Sequence, residues 1–183
     1  LNTTELDNAI SETVFAASTN VSRPVLAGVY FIVDGGDVKM VATDSYRLAE
    51  RGMALDKKID GKFTCIIPAK TVSELGKITN RSEAKDVAVS VSKNQVLFKT
   101  GNVELVSRLI EGKFPEYERI IPKEGKTTVE VSVEDLSLVL KRVSLFAKEN
   151  NNSIKLGATN DGKMTVSTEE TKVGEEKAEV VIK

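Results

Sequence analysis

Between two apolar runs the chain carries Thr43-Asp44-Ser45-Tyr46-Arg47-Leu48, which sets a carboxylate, a hydroxyl, a phenol and a guanidinium on four successive positions. One chemistry open to such a set is acid–base catalysis by Asp44, Tyr46 and Arg47. It would require a carboxyl group with a strongly shifted pKa in a deep pocket. The plainer reading is a tight turn between two strands, since Asp and Ser are ordinary turn formers. A near-echo of the preceding residues, KMTVSTEE at 163–170, lacks the Tyr-Arg-Leu that follows the first copy.

Elsewhere the sequence gives catalysis little to build on. The absence of histidine removes the commonest general base and the commonest zinc ligand together. There is no Gly-rich phosphate loop, no Ser within G-x-S-x-G and no Cys pair. Neither a metal nor another cofactor is expected, and the protein reads as a non-enzyme. The lone Cys65, in FTCII, suits a buried apolar position, rules out an internal disulfide and fits a reducing compartment, hence the cytoplasm. A net charge of −1 is far from the strongly basic balance of a tight nucleic-acid binder, although a local basic face remains open.

The 183 residues suffice for one large or two small domains with a sizeable core. No apolar run approaches the roughly 18–20 residues of a membrane span, and no secretory or transit segment is recognisable. The first residue is Leu rather than Met, so the chain reads as a piece of something longer.

Three helices are predicted, each opening on a hydroxyl three positions before an acid: Thr4 to Asp7, Thr71 to Glu74 and Ser132 to Asp135. Leu6, Ile10 and Val14, and likewise Leu136, Val139, Leu140 and Val143, recur at helical spacing. Between the helices the period falls to two. Strands are expected over 26–33, 38–43, 46–53, 62–67, 86–92, 95–100 and 103–110, punctuated by DGGD, SKN and GN. The fold class is α+β, with antiparallel sheets and helices packed on one face. The pattern also repeats: ELDNAISETVFA resembles DLSLVLKRVSLFA about 130 residues on, and VYFIVDGGDVKMVATD resembles IKLGATNDGKMTVSTE. The repeat divides the chain into a complete domain, 1–126, and about half of a second, 127–183, with the boundary in the polar PKEGKTT.

Four motifs in order, SRPVLAG, VATDSYRLAE, IIPAKTVSEL and LIEGKFPEYERIIP, resemble the middle domain of the bacterial DNA polymerase III beta subunit family, the sliding clamps. The resemblance implies that 1–126 is that middle domain and 127–183 the first half of the last one. It also implies the DNA-clamp fold and, in the full-length protein, a head-to-tail homodimeric ring around duplex DNA. The ring would be a processivity factor without catalysis of its own. It would tether the DNA polymerase catalytic subunit, the clamp loader and repair proteins, each through a short Gln-Leu-Phe-type peptide.

The family's peptide groove carries over as Leu26, Thr43, Ser45, Tyr46, Arg47, Leu48, Pro115, Arg119 and Ile120. Leu26, Leu48, Pro115 and Ile120 would supply an apolar floor, and Arg47 and Arg119 donors at the rim. Two buried anchors are worth roughly 3–6 kcal/mol, so an isolated peptide should bind at about micromolar strength, and more weakly without the rest of the last domain. The resemblance places Arg23 and Pro24 in a loop that touches DNA. Lys70, Lys77, Arg81, Lys141, Arg142 and Lys148 lie on or beside the helices that would face it. Scattered Lys is also what any solvated helix shows. Leu145 and Phe146 match a ring-closing surface, with Glu175 and Glu176 near its acidic strip, although Phe146 equally suits the core of the third helix. At Asn151 the sequence departs from a family aromatic. Outside the family, a stand-alone peptide-binding adaptor would use the same groove without DNA.

Overall fold

Asn2, not a threonine, starts the first helix. In the computed structural model its Oδ1 accepts hydrogen bonds from the backbone N–H groups of Thr4 at 3.0 Å and Glu5 at 3.2 Å, capping α1 (Thr3–Thr13). Thr4, predicted to cap, is already helical. The structure describes residues 1–183 apart from 21, 56, 148–152, 160 and 169–175. The second predicted cap is also displaced. α2 (Ala69–Thr79) follows Pro68 with no side-chain cap among the described residues, and the Thr71 hydroxyl instead pairs with that of Ser107 at 2.9 Å. The third holds: Ser132 Oγ accepts from the Asp135 N–H at 3.3 Å at the head of α3 (Val133–Ala147).

The described chain divides into two units, Leu1–Tyr117 and Glu118–Lys183. In the first, β1 (Gly28–Asp34), β2 (Asp37–Thr43), β3 (Leu48–Ala54) and β4 (Lys62–Pro68) form an antiparallel sheet in the order β3-β2-β1-β4. A second antiparallel sheet, in the order β5-β6-β7, contains β5 (Ala88–Val91), β6 (Gln95–Thr100) and β7 (Val103–Arg108). Pro24–Ala27, expected partly as strand, is a 3-10 turn, because proline fixes φ and has no N–H to give a ladder. Tyr46 and Arg47 likewise fall outside β3.

Alternation along the strands sorts their side chains. Val29, Phe31, Val33, Val38, Met40, Cys65 and Ile67 face one way and pack with Leu6, Ala9 and Ile10 of α1 and Val72 and Leu75 of α2, so both helices lie on one face. Tyr30, Ile32, Val41 and Ile66 face the other way. There the segment that follows β7 closes over them. Phe114 stacks on Tyr30 with centroids 4.7 Å apart, and Tyr117 meets Phe114 edge-on at 6.4 Å. Tyr117 is the last apolar anchor of this unit, and residues 118–128 are all exposed. The unit therefore ends earlier than the boundary at 126, because PKEGKTT is the tail of an exposed connection rather than its start.

The second unit packs Leu136, Val139, Leu140 and Val143 of α3 against β9 (Lys163–Ser167) and β10 (Lys177–Val181), with β8 (Lys155–Ala158) at the far edge of a sheet ordered β10-β9-β8. Helix, strand, turn, strand, strand thus recurs with the sheet order of β3-β2-β1. The internal repeat read from the sequence is a structural one.

Candidate docking site

The turn between β2 and β3 is built by its own polar residues. Asp44 Oδ1 accepts from the N–H groups of Tyr46 at 2.9 Å and Arg47 at 3.0 Å, while Oδ2 meets Arg47 Nε at 3.2 Å. Beneath it, the buried Thr43 hydroxyl donates to the Arg47 carbonyl at 2.7 Å and accepts from the Ser45 N–H at 3.1 Å. Ser45 has φ of 80°, the left-handed region that L residues rarely enter, which the surrounding bonds hold in place. The backbone N–H groups of Arg47 and then Tyr46, with the Arg47 charge, outweigh partial burial and keep the Asp44 carboxyl below its ordinary value. It is ionised at neutral pH and acts as an acceptor.

Beside the turn is an open concavity of about 390 Å³, walled by Ala17 to Asn20, Arg23, Leu26 and Asp44 to Arg47. Arg23 Nη1 donates to Ser45 Oγ at 3.3 Å, and the Arg47 guanidinium lies 5.5 Å from the Phe15 ring centroid. Tyr46 is 98% exposed. Of the predicted groove residues, Leu26, Ser45, Tyr46 and Arg47 line this space and Thr43 supports it from below. Leu48 packs with Val41, Ile66, Phe114 and Tyr117 on the outer face of the sheet. Pro115, exposed, sits between the two aromatic anchors and accepts from the Tyr117 N–H at 2.8 Å. Arg119 and Ile120 belong to the second unit and are exposed. The wall at Ala17 to Asn20 was missed from sequence. Its only signal is the polar run Ser18-Thr19-Asn20 directly after α1, whose Ser18 N–H bonds the Leu26 carbonyl at 2.8 Å.

A model of the DNA polymerase III beta subunit central domain matches residues 1–116, and one of its C-terminal domain matches 118–183. The chain belongs to the DNA polymerase III beta subunit family. The junction between the two family domains falls where the compact units divide. Among curated relatives, the beta sliding clamp of Staphylococcus aureus is 37% identical over 175 residues, 96% of this chain and 46% of that protein. The chain thus spans about half the length of the curated relatives it matches. Among solved structures, the DNA polymerase III beta chain of Streptococcus pneumoniae is 33% identical with a TM-score of 0.91, covering 100% of this chain and 48% of that one. The sliding clamp of Bacillus subtilis is 34% identical with a TM-score of 0.89, over the same shares of the two chains.

The remaining residues that the family resemblance singled out are spread over both domains. Arg23 lines the concavity, and Pro24, itself exposed, opens the 3-10 turn beside it. Lys70, Lys77 and Arg81 are exposed on or just after α2, with Lys77 bonded to Glu74 at 2.8 Å. That bond, and then the charge, lowers the Glu74 pKa. Lys141 is exposed on α3, whereas Arg142 is paired with Glu176 at 2.8 Å, which joins two residues expected on different surfaces. Leu145 is 66% exposed and Phe146 half-buried, while Glu175, Lys148 and Asn151 lie outside the described residues. Among the described residues no three His, Cys, Asp or Glu side chains gather to hold a metal, and no helix is long and apolar enough to cross a membrane.

Proposed function

We propose that this chain is part of a DNA sliding clamp, a processivity factor that encircles duplex DNA as a head-to-tail homodimeric ring in the cytoplasm and does no chemistry itself. The observation that carries this reading is the succession of a central and a C-terminal beta-subunit domain along one chain. The relatives named beta sliding clamp support it. The basic residues Lys70, Lys77, Arg81 and Lys141, with Arg23, Pro24 and Arg142, are the candidate DNA-facing set. A ring needs only weak, sliding contact with phosphates, which suits a chain of net charge −1. Leu145 and Phe146, with Glu175 and Glu176, are the candidate ring-closing set. Residues 127–183 would then be the first half of the last clamp domain.

The concavity beside Ser45 to Arg47 is the proposed docking site for the DNA polymerase catalytic subunit, the clamp loader and repair proteins. Leu26 gives it an apolar floor, Arg23 and Arg47 give donors, and Tyr46 an amphipathic wall. An acid–base site in the same turn is disfavoured by the lowered Asp44 pKa and by the open shape of the cavity. Titration of the full-length protein with a fluorescent Gln-Leu-Phe-type peptide should give about micromolar affinity, and this chain should bind more weakly. Arg47→Ala should weaken it several-fold; a peptide indifferent to that change, and to Leu48→Ala, argues against the site. For the ring, the full-length protein loaded on nicked circular DNA should stay bound until the circle is linearised. Binding of the peptide with no such topological retention would favour the stand-alone adaptor.

A further inference from the structure

We infer that Phe15 is a positioning residue of the docking site: its ring and the Asp44 carboxylate together hold the Arg47 guanidinium in the pose that meets an incoming peptide. This rests on the docking reading above. Phe15 lies in the 3-10 turn Val14–Ala16 that ends α1, where Ala16 is buried and Phe15 is turned outward, 56% exposed. A single exposed aromatic is ordinary on a protein surface. What sets this one apart is the guanidinium 5.5 Å from its centroid, inside the range at which a cation is drawn to the face of a ring.

The Arg47 side chain is thereby restrained from two independent elements. One is the turn that follows α1. The other is the β2–β3 turn, where Asp44 bonds Arg47 at both its backbone N–H and its Nε. The Arg47 side chain nevertheless stays 57% exposed to solvent, so donors remain for a ligand. A free arginine has many rotamers to lose when it binds, and an arginine held beforehand has fewer. The ligand chemistry this suits is an extended peptide whose carbonyl or side-chain amide oxygens can accept from the guanidinium N–H groups left in solvent.

The test measures peptide affinity and the Arg47 Nε–H resonance in one set of variants. In the unsubstituted protein that resonance should be shifted upfield by the ring, and Phe15→Leu should abolish the shift. The same substitution should weaken the fluorescent peptide about two- to five-fold. Phe15→Tyr should restore both readouts, and Phe15→Leu should add nothing in an Arg47→Ala background. A wild-type resonance without the shift overturns the inference. So does a Phe15→Leu affinity equal to wild type, or a loss that persists undiminished without Arg47. If the unsubstituted protein binds no peptide, the docking reading itself fails; if it binds but ignores Phe15, only the positioning role does.

Discussion

Asp44 commits both of its carboxylate oxygens to one turn, Oδ1 to two amides and Oδ2 to a guanidinium. Its folded pKa lies below the ordinary carboxyl value, so its stabilising contribution is fully present above about pH 4 and is lost as the pH falls through the folded value. An NMR titration should show the Tyr46 and Arg47 amides shifting together in that acid range, and Asp44→Asn should remove the transition. Glu50 behaves alike for a different reason. Burial pushes its carboxyl up, but hydrogen bonds from Tyr117 and Lys39 outweigh that and bring it down. At Cys65 nothing opposes burial, and the thiol is pushed up to about 11. A colourimetric thiol reagent at pH 8 should therefore label Cys65 at the rate of unfolding rather than within seconds.

At the scale of elements, the closest approach is at Gly28, the first residue of β1. A Cβ there would sit 2.5 Å from Ile66 Cγ2, 2.9 Å from Ile110 Cδ1 and 3.0 Å from the Ile67 carbonyl oxygen. Gly28→Ala should cost about 1–3 kcal/mol of stability in chemical denaturation, because one of those neighbours is backbone and cannot rotate away. Strands were legible in sequence because alternation records two buried faces, as in Tyr30 and Ile32 against Val29, Phe31 and Val33. Helix starts were legible only where the local hydroxyl made the cap, at Ser132. At Thr4 and Thr71 the same spacing arose by chance, since Asn2 and Pro68 had already set the first turn. The docking turn was readable from VATDSYRLAE. Its opposite wall at Ala17 to Asn20 was not, because nothing in a polar run tells which distant loop it will meet.

For the whole molecule, residues 1–117 contain an inner core and an outer aromatic cap, and a polar exposed connection begins after them at Glu118. Limited trypsin digestion should cut first at Arg119, Lys123 or Lys126, and the N-terminal product should keep a cooperative melt. An initial cut at Arg51 within β3, or at Lys70 or Lys77 within α2, would contradict that autonomy. Sequence reasoning drew the junction from composition, in the polar PKEGKTT, whereas the compact units divide after Tyr117. The physical end of the first unit is set instead by where apolar anchoring stops, at Tyr117.

The chain has no tryptophan and three tyrosines, of which Tyr117 is buried, Tyr30 is half-covered by Phe114 and only Tyr46 stands almost wholly in solvent. Its ultraviolet emission is consequently divided between two sheltered fluorophores and one that acrylamide can reach. The quenchable share reports on a single spot beside Arg47. A client segment lacking tyrosine and tryptophan of its own would announce its arrival by shielding that phenol, with no label attached to either molecule.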